Sequence, residues 1–179
     1  MLVHGVQISE QVEAAEIDWE TSMISLLQWD GKLTIPDALR LAHDEVSAEL
    51  VRATMERGPI AHAAMRVAKL CLPHFEWEER IIFPALVILP DLARGNLRAE
   101  MVNVLPTIVE FSARQDEFDN QHRSIHSAIQ ALQRAAEREK NREFAEFAHN
   151  LKIHERIEDE VLFPMVLLIG KYLRAKFEH

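Results

Sequence analysis

The chain has 179 residues, of which 48% are hydrophobic and 27% charged, which describes a globular protein of one domain rather than a disordered or fibrous one. A formal charge of −9 argues against nucleic acid as a partner. The longest apolar runs, 81–89 and 161–169, are nine residues each and interrupted by Pro84 and Pro164, far below a membrane span of roughly 20 residues.

The N-terminal stretch carries Glu10, Glu13, Glu16, Asp18 and Glu20, unlike the basic-then-apolar layout of a signal peptide. With a single cysteine, Cys71, no internal disulfide can form, and a cytoplasmic location is expected. Val12, Ala15, Trp19, Met23 and Leu26 fall at helical spacing with Trp29 behind them. They predict an amphipathic helix from about Ser9, within an extension spanning 1–35. Its expected role is to cover the main domain, 36–179, with a homodimer contact as the alternative.

Five glycines and few β-branched runs point to an all-α fold. Pro36 suits a helix start and Gly58-Pro59 a stop, predicting a first helix over 37–57 with Leu39, His43, Val46 and Leu50 inward. A second helix follows over about 60–89, with Pro73 and Pro84 as interior kinks. After the loop 90–96, a third runs from residue 98 or 107 to about 138, with Phe118, His122, Ile125, Ile129 and Leu132 inward. Asn141 is the expected N-cap of a fourth, which reaches about 168 with Phe147, Leu151, His154, Glu158, Leu162 and Met165 inward. Short connections between four such helices predict an up-down-up-down four-helix bundle.

Residues 74–84 (HFEWEERIIFP) and 154–164 (HERIEDEVLFP) both read H-x3-E-[ED]-x2-[IL]-F-P, an internal repeat. In each copy a histidine and a carboxylate four residues apart lie about 40° apart on a helix and face one point, which is metal-ligand geometry. Antiparallel hairpins extend the pattern. His43 lies 15 residues before Gly58 and His74 lies 15 after Pro59, while His126 lies 15 before Asn141 and His154 lies 13 after it. His122 sits one turn beyond His126. The fold thus reads as a duplicated helical hairpin bringing His43, His74, Glu78, His122, His126, His154 and Glu158 to one level. Seven inward donors exceed what one zinc takes, and mixed imidazole and carboxylate ligands suit iron or manganese. Regular helical geometry points Glu158 at the site and Asp159 about 100° away, and it favours Glu78 over Glu79 in the same way. His4, His62, His149 and His179 fit nothing in the pattern and are expected at the surface. The Phe-Pro pairs 83–84 and 163–164 are expected to form a dry wall beside the metals.

This motif set resembles the hemerythrin-like, or HHE cation-binding, family over residues 37–168. The resemblance rests on His43 within LAHDEV, the two repeats, and His122 with His126. It implies a di-iron centre, oxo- or hydroxo-bridged, held by His43, His74, Glu78, His122, His126, His154 and the acid of the fourth helix. The oxygen-carrying branch places that acid five residues after its histidine, and this chain offers both Glu158 and Asp159. Two carboxylates among five imidazoles make a site poor in negative charge, which favours reversible binding over oxidation. The expected function is therefore binding of dioxygen or nitric oxide for sensing, storage or buffering, without a separate catalytic residue. The alternatives are a di-iron enzyme that removes peroxide or repairs nitrosatively damaged iron centres, and a metal-dependent signalling module.

Overall fold

Residues 35–177 are described by a computed structural model of the chain. The expected N-terminal helix, with its dimer contact, and His4 and His179 lie outside them. Among the described residues the structure is all-helical, without a strand. No helix there is long and apolar enough to cross a membrane.

Helix α1 (Asp37–Thr54) starts directly after Pro36, with Asp37 in its first turn. The chain reverses at Gly58, whose φ of +68° is open to glycine at no steric cost, and Pro59 opens α2 (Gly58–Ile81). The expected second helix stops at Ile81 rather than near residue 89. Pro84 supplies no N–H and its ring collides with the carbonyl four residues back, so the chain restarts as two short helices, α3 (Phe83–Leu86) and α4 (Leu89–Ala93). Pro73, by contrast, is absorbed inside α2.

The expected third helix is three pieces: a 3₁₀ turn (Ala99–Val104), α5 (Leu105–Ala113) and α6 (Gln115–Arg138), the last two separated at Arg114. Asn141 caps α7 (Arg142–Ile157) by accepting a hydrogen bond from the Phe144 N–H at 3.2 Å, as its position suggests. A π-helical segment (Glu158–Leu162) interrupts the fourth helix before it continues as α8 (Phe163–Phe177), beyond the expected end. Here too a proline sets the irregularity. Pro164 cannot continue the regular ladder, and the Phe163 N–H bonds instead to the Glu158 carbonyl five residues back.

Helix α1 packs on α2, α2 on α6, and α6 on α7. The apolar interior is divided in two. One cluster holds Leu50, Val67, Phe75, Ile125, Leu132, Phe144 and Leu151, and the other holds Ile81, Phe83, Phe111, Phe118, Phe163 and Leu173. Each long helix crosses from one cluster to the other through buried polar residues: His43 on α1, His74 and Glu78 on α2, His122 on α6, and Glu155 and Glu158 at the end of α7 and the start of the π segment. Close approach of α5 and α8 frames the second cluster, because a Cβ on Gly170 would lie 2.6 Å from the Ile108 side chain. The expected inward stripe on the fourth helix holds at Leu151 and Glu158 and is displaced by one residue elsewhere. Phe144, Ala148, Leu151, Glu155 and Glu158 are buried, while Phe147, His154, Leu162 and Met165 are only partly so.

Candidate metal centre

The polar layer brings together donors from all four long helical stretches. Glu78 lies between two groups of imidazoles: its Oε2 is 3.4 Å from His43 Nε2, and its Oε1 is 3.4 Å from His74 Nε2 and 4.0 Å from His122 Nε2. Glu158 Oε1 lies 3.0 Å from His154 Nε2 and 3.5 Å from His43 Nε2. On the far side, Asp159 Oδ1 is 2.9 Å from His122 Nδ1 and its Oδ2 is 3.9 Å from His126 Nε2. Three overlapping sets of converging atoms result: His74, Glu78, His122 and Glu158; His43, His154 and Glu158; and His122, His126 and Asp159. Each of these could hold a metal ion.

The hydrogen-bonding state of these atoms tests the fit of a metal. Both oxygens of Glu78 and of Glu155, one oxygen of Glu158, and ring nitrogens of His122, His126 and His154 are sealed from solvent without a hydrogen-bond partner. His154 approaches Glu158 at 3.0 Å and His122 approaches Asp159 at 2.9 Å, charge contacts that still leave the same imidazole nitrogens without a well-aligned hydrogen bond. Leaving several buried polar atoms unpaired costs on the order of 1–3 kcal/mol each, more for charges. A cation among them would satisfy nitrogens and carboxylates together, and the donor set fits one.

The outer nitrogens are organised separately. His43 Nδ1–H donates to Glu79 Oε1 at 3.1 Å, and His74 Nδ1–H donates to the Gln121 amide oxygen at 2.9 Å. Gln121 is itself oriented by donating its Nε2–H to Glu117 at 3.2 Å. Each contact fixes the tautomer that leaves Nε2 without a proton and turned into the layer, where His74 Nε2 meets His122 Nε2 at 2.6 Å and His43 Nε2 meets Glu158 Oε1 at 3.5 Å. Aromatic rings close the layer: His43 stacks on Phe75 at 4.1 Å, and His122 lies 5.1 Å from Phe163.

Electrostatics follow from burial. Burial, then the negative charge of Glu158, pushes the Glu78 carboxyl well above the usual carboxylate range, and the same causes raise Glu155. Burial also opposes ionisation of Glu158, but the His154 and His43 rings outweigh it and bring that carboxyl down to about 2. Burial and the neighbouring His74 ring lower His122 to about 3, so its imidazole stays neutral and able to bind a cation. Asp159 is raised, chiefly by burial. Burial raises the Cys71 thiol as well, leaving it protonated and outside the donor sets.

All seven residues singled out in the sequence therefore lie in this layer or against it, with His126 at its margin. Two departures stand out. Asp159, placed by regular geometry about 100° from the site, is turned toward His122 and His126 because the π segment adds a residue to the turn. Glu155 was missed: it is completely buried, with Oε2 3.8 Å from His122 Nδ1. The signal for it was the spacing of Phe144, Ala148 and Leu151, a stripe that continues to residue 155. Gln121 escaped notice as a partner because it lies on no apolar stripe. His62 and His149 are exposed, as expected.

Comparison of the chain with protein-family models, curated proteins and solved structures gives no match.

Proposed function

We propose that this is a hemerythrin-like di-iron protein that binds dioxygen or nitric oxide. The observation that carries the reading is the set of buried, unpartnered imidazole and carboxylate atoms converging in overlapping groups that share Glu158 and His122. Shared donors suit two ions held close together, and ligands of this mixed kind suit iron. The order in which successive helices cross the polar layer also supports an up-down-up-down bundle. Helix α1 runs from the Phe83 cluster to the Leu50 cluster, α2 returns, α6 repeats the direction of α1, and α7 with α8 returns again.

Iron in such a site supplies reversible electron donation to a small ligand. The chain's own residues set the conditions. Phe75, Phe83, Phe118 and Phe163 are buried beside the histidines and exclude water from the layer. His43 and His74 are held by Glu79 and Gln121 so that their inner nitrogens stay in place. Residues 35–177 include no membrane-spanning helix, and a cytoplasmic setting is part of this reading.

A second reading has specific support. The expectation of a site poor in negative charge counted two carboxylates, whereas Glu78, Glu155, Glu158 and Asp159 all face the layer. Four carboxylates favour more oxidised iron and hence turnover of oxygen or peroxide. Anaerobic titration of the ferrous protein with oxygen, nitric oxide and peroxide separates the two. A reversible oxygen-dependent band supports binding, and rapid consumption supports an enzyme. One tightly held zinc after iron-replete expression would overturn both.

A further inference from the structure

We propose that Glu155 is itself a metal ligand, its carboxylate coordinating the ion on the His122 side of the layer. This rests on the di-iron reading above and adds to it a donor from outside the three converging sets. The internal repeat makes an acid here unexpected. The equivalent residue of the first copy is Phe75, an apolar ring stacked on His43, so the motif folds without a carboxylate at this position. Glu155 nevertheless continues the buried stripe of Ala148 and Leu151, and a regular helix sets it about 60° round from Glu158, on the same face. Its Oε2 lies 3.8 Å from His122 Nδ1. Two donors each about 2.1 Å from one ion stand at most ~4.2 Å apart, so this separation is too long for a hydrogen bond and suits two ligands of a shared cation.

Nothing else in the layer satisfies this side chain. Glu155 is completely buried, and neither of its oxygens has a hydrogen-bond partner. Among the described residues His122 is the only base within ion-pairing distance of it. Glu79 and Gln121 receive the outer N–H groups of His43 and His74, but Glu155 has no such place on His122, because Asp159 Oδ1 stands closer to that outer nitrogen, at 2.9 Å. Burial, then the acids Glu158 and Glu78, oppose its ionisation. Protonation brings no relief, since the O–H so formed finds no acceptor. A cation beside His122 satisfies the carboxylate. Two acids, Asp159 and Glu155, then face the ion on this side, and anionic oxygen ligands favour its ferric state.

The test compares full-length wild type, Glu155→Gln and Glu155→Leu, loaded with iron, by chelator competition and Mössbauer spectroscopy. Both variants should bind one of the two ions at least ~10-fold more weakly, the lower bound for losing even an outer partner of a ligand. One iron signal should change while the other stays as in wild type. The changed iron should be easier to reduce, its potential rising about 59 mV for each tenfold by which ferric binding falls more than ferrous. Denaturant melts of the apoproteins separate coordination from packing: apo Glu155→Leu should be at least as stable as apo wild type, and a less stable apoprotein would overturn the proposal. Unchanged affinity would overturn it too, as would weaker binding with both iron signals unchanged, since the charge would then act from a distance. The di-iron reading fails separately. Wild type holding zinc or cobalt(II) in place of two irons would end that reading, while an at least ~10-fold weaker hold on the same ion in both variants would still uphold Glu155 as a ligand.

Discussion

The two copies of the repeated motif end in different structures. In the first, 74–84, α2 stays regular through Glu78 and Glu79 and breaks only at Ile82, before Pro84. In the second, 154–164, the irregularity moves back into the motif as the π segment, before Pro164. The residue after the histidine differs as well. Phe75 in the first copy stacks on His43, whereas Glu155 in the second is buried beside His122. The acids after the glutamate part ways in consequence: Glu79 receives the outer N–H of His43, and Asp159 turns inward to His122 and His126. One pattern thus builds a dry aromatic wall on the His43 side and an anionic wall on the His122 side. A repeat fixes which residues are present, while the path of the helix decides which of them reach the site.

The largest expected effect breaks what the two sides share. Glu78 spans them with both of its oxygens, one toward His43 and the other toward His74 and His122, while Glu158 belongs to a donor set on each side. Glu78→Ala should therefore reduce metal from about two ions per chain to near zero and lower the melting temperature of the metal-loaded protein. Metal analysis after iron-replete expression, alongside thermal melts, measures both. Retention of a full complement would show that Glu78 bridges nothing.

Asp159→Ala should remove one ion and leave the other, because His43, His154 and Glu158 remain together. Glu79→Ala, at the equivalent place in the first copy, should leave both ions bound. Equal losses in the two variants would mean that the π segment does not distinguish the copies.

Much of this was legible in the sequence, and the reasons differ by element. The turn at Gly58-Pro59, the Asn141 cap and the heights of the histidines are local signals, each fixed by one or two residues, and they placed the long helices. Irregular segments were not legible as such. Pro84 and Pro164 announce a disturbance, but whether the backbone breaks after the motif or bulges within it depends on packing that one chain's residue order does not display. Misjudging that register cost the reading Glu155 and set Asp159 aside. The same error made the site look poorer in anions than it is.

Glu155 offers a pH test of the anionic wall. Its folded pKa lies above the unfolded value, so the stability it contributes is fully present below the unfolded pKa of about 4.5 and is lost as pH rises through the folded pKa. Glu78 behaves in the same way, whereas His122 is depressed to about 3, which makes its contribution full above about 6.5 and lost as pH falls below that. These trends oppose one another in the wild-type apoprotein. Glu155→Gln removes one of them, so the apo variant should be more stable than apo wild type at pH 8, by about 1–3 kcal/mol, with the gap closing toward pH 4.5. Denaturant melts of both apoproteins across that range measure the gap. With iron the order should reverse, since a carboxylate beside His122 then faces a cation.

The smallest expected effect concerns the outer partners of His43 and His74. His43 donates to a carboxylate, Glu79, while His74 donates to a neutral amide, Gln121, held in place by Glu117. Outer partners fix the ring and raise its basicity, and losing one typically lowers metal affinity by roughly 10–100-fold. A carboxylate polarises an imidazole more than an amide does, so Gln121→Ala should fall at the lower end, about ten-fold, and Glu79→Gln should cost less than Glu79→Ala. Gln121→Glu sharpens the comparison, because it gives His74 the kind of partner that His43 has, although the new charge lies beside Glu117. If basicity governs affinity, Gln121→Glu should bind metal at least as tightly as wild type in competition with a chelator, while Gln121→Ala binds more weakly. If the amide acts only by orienting the ring, Gln121→Ala alone should change the affinity, and Gln121→Glu should match wild type despite its charge. Unchanged affinity in Gln121→Ala would show that Phe118, which packs 5.6 Å from the His74 ring, suffices to hold it.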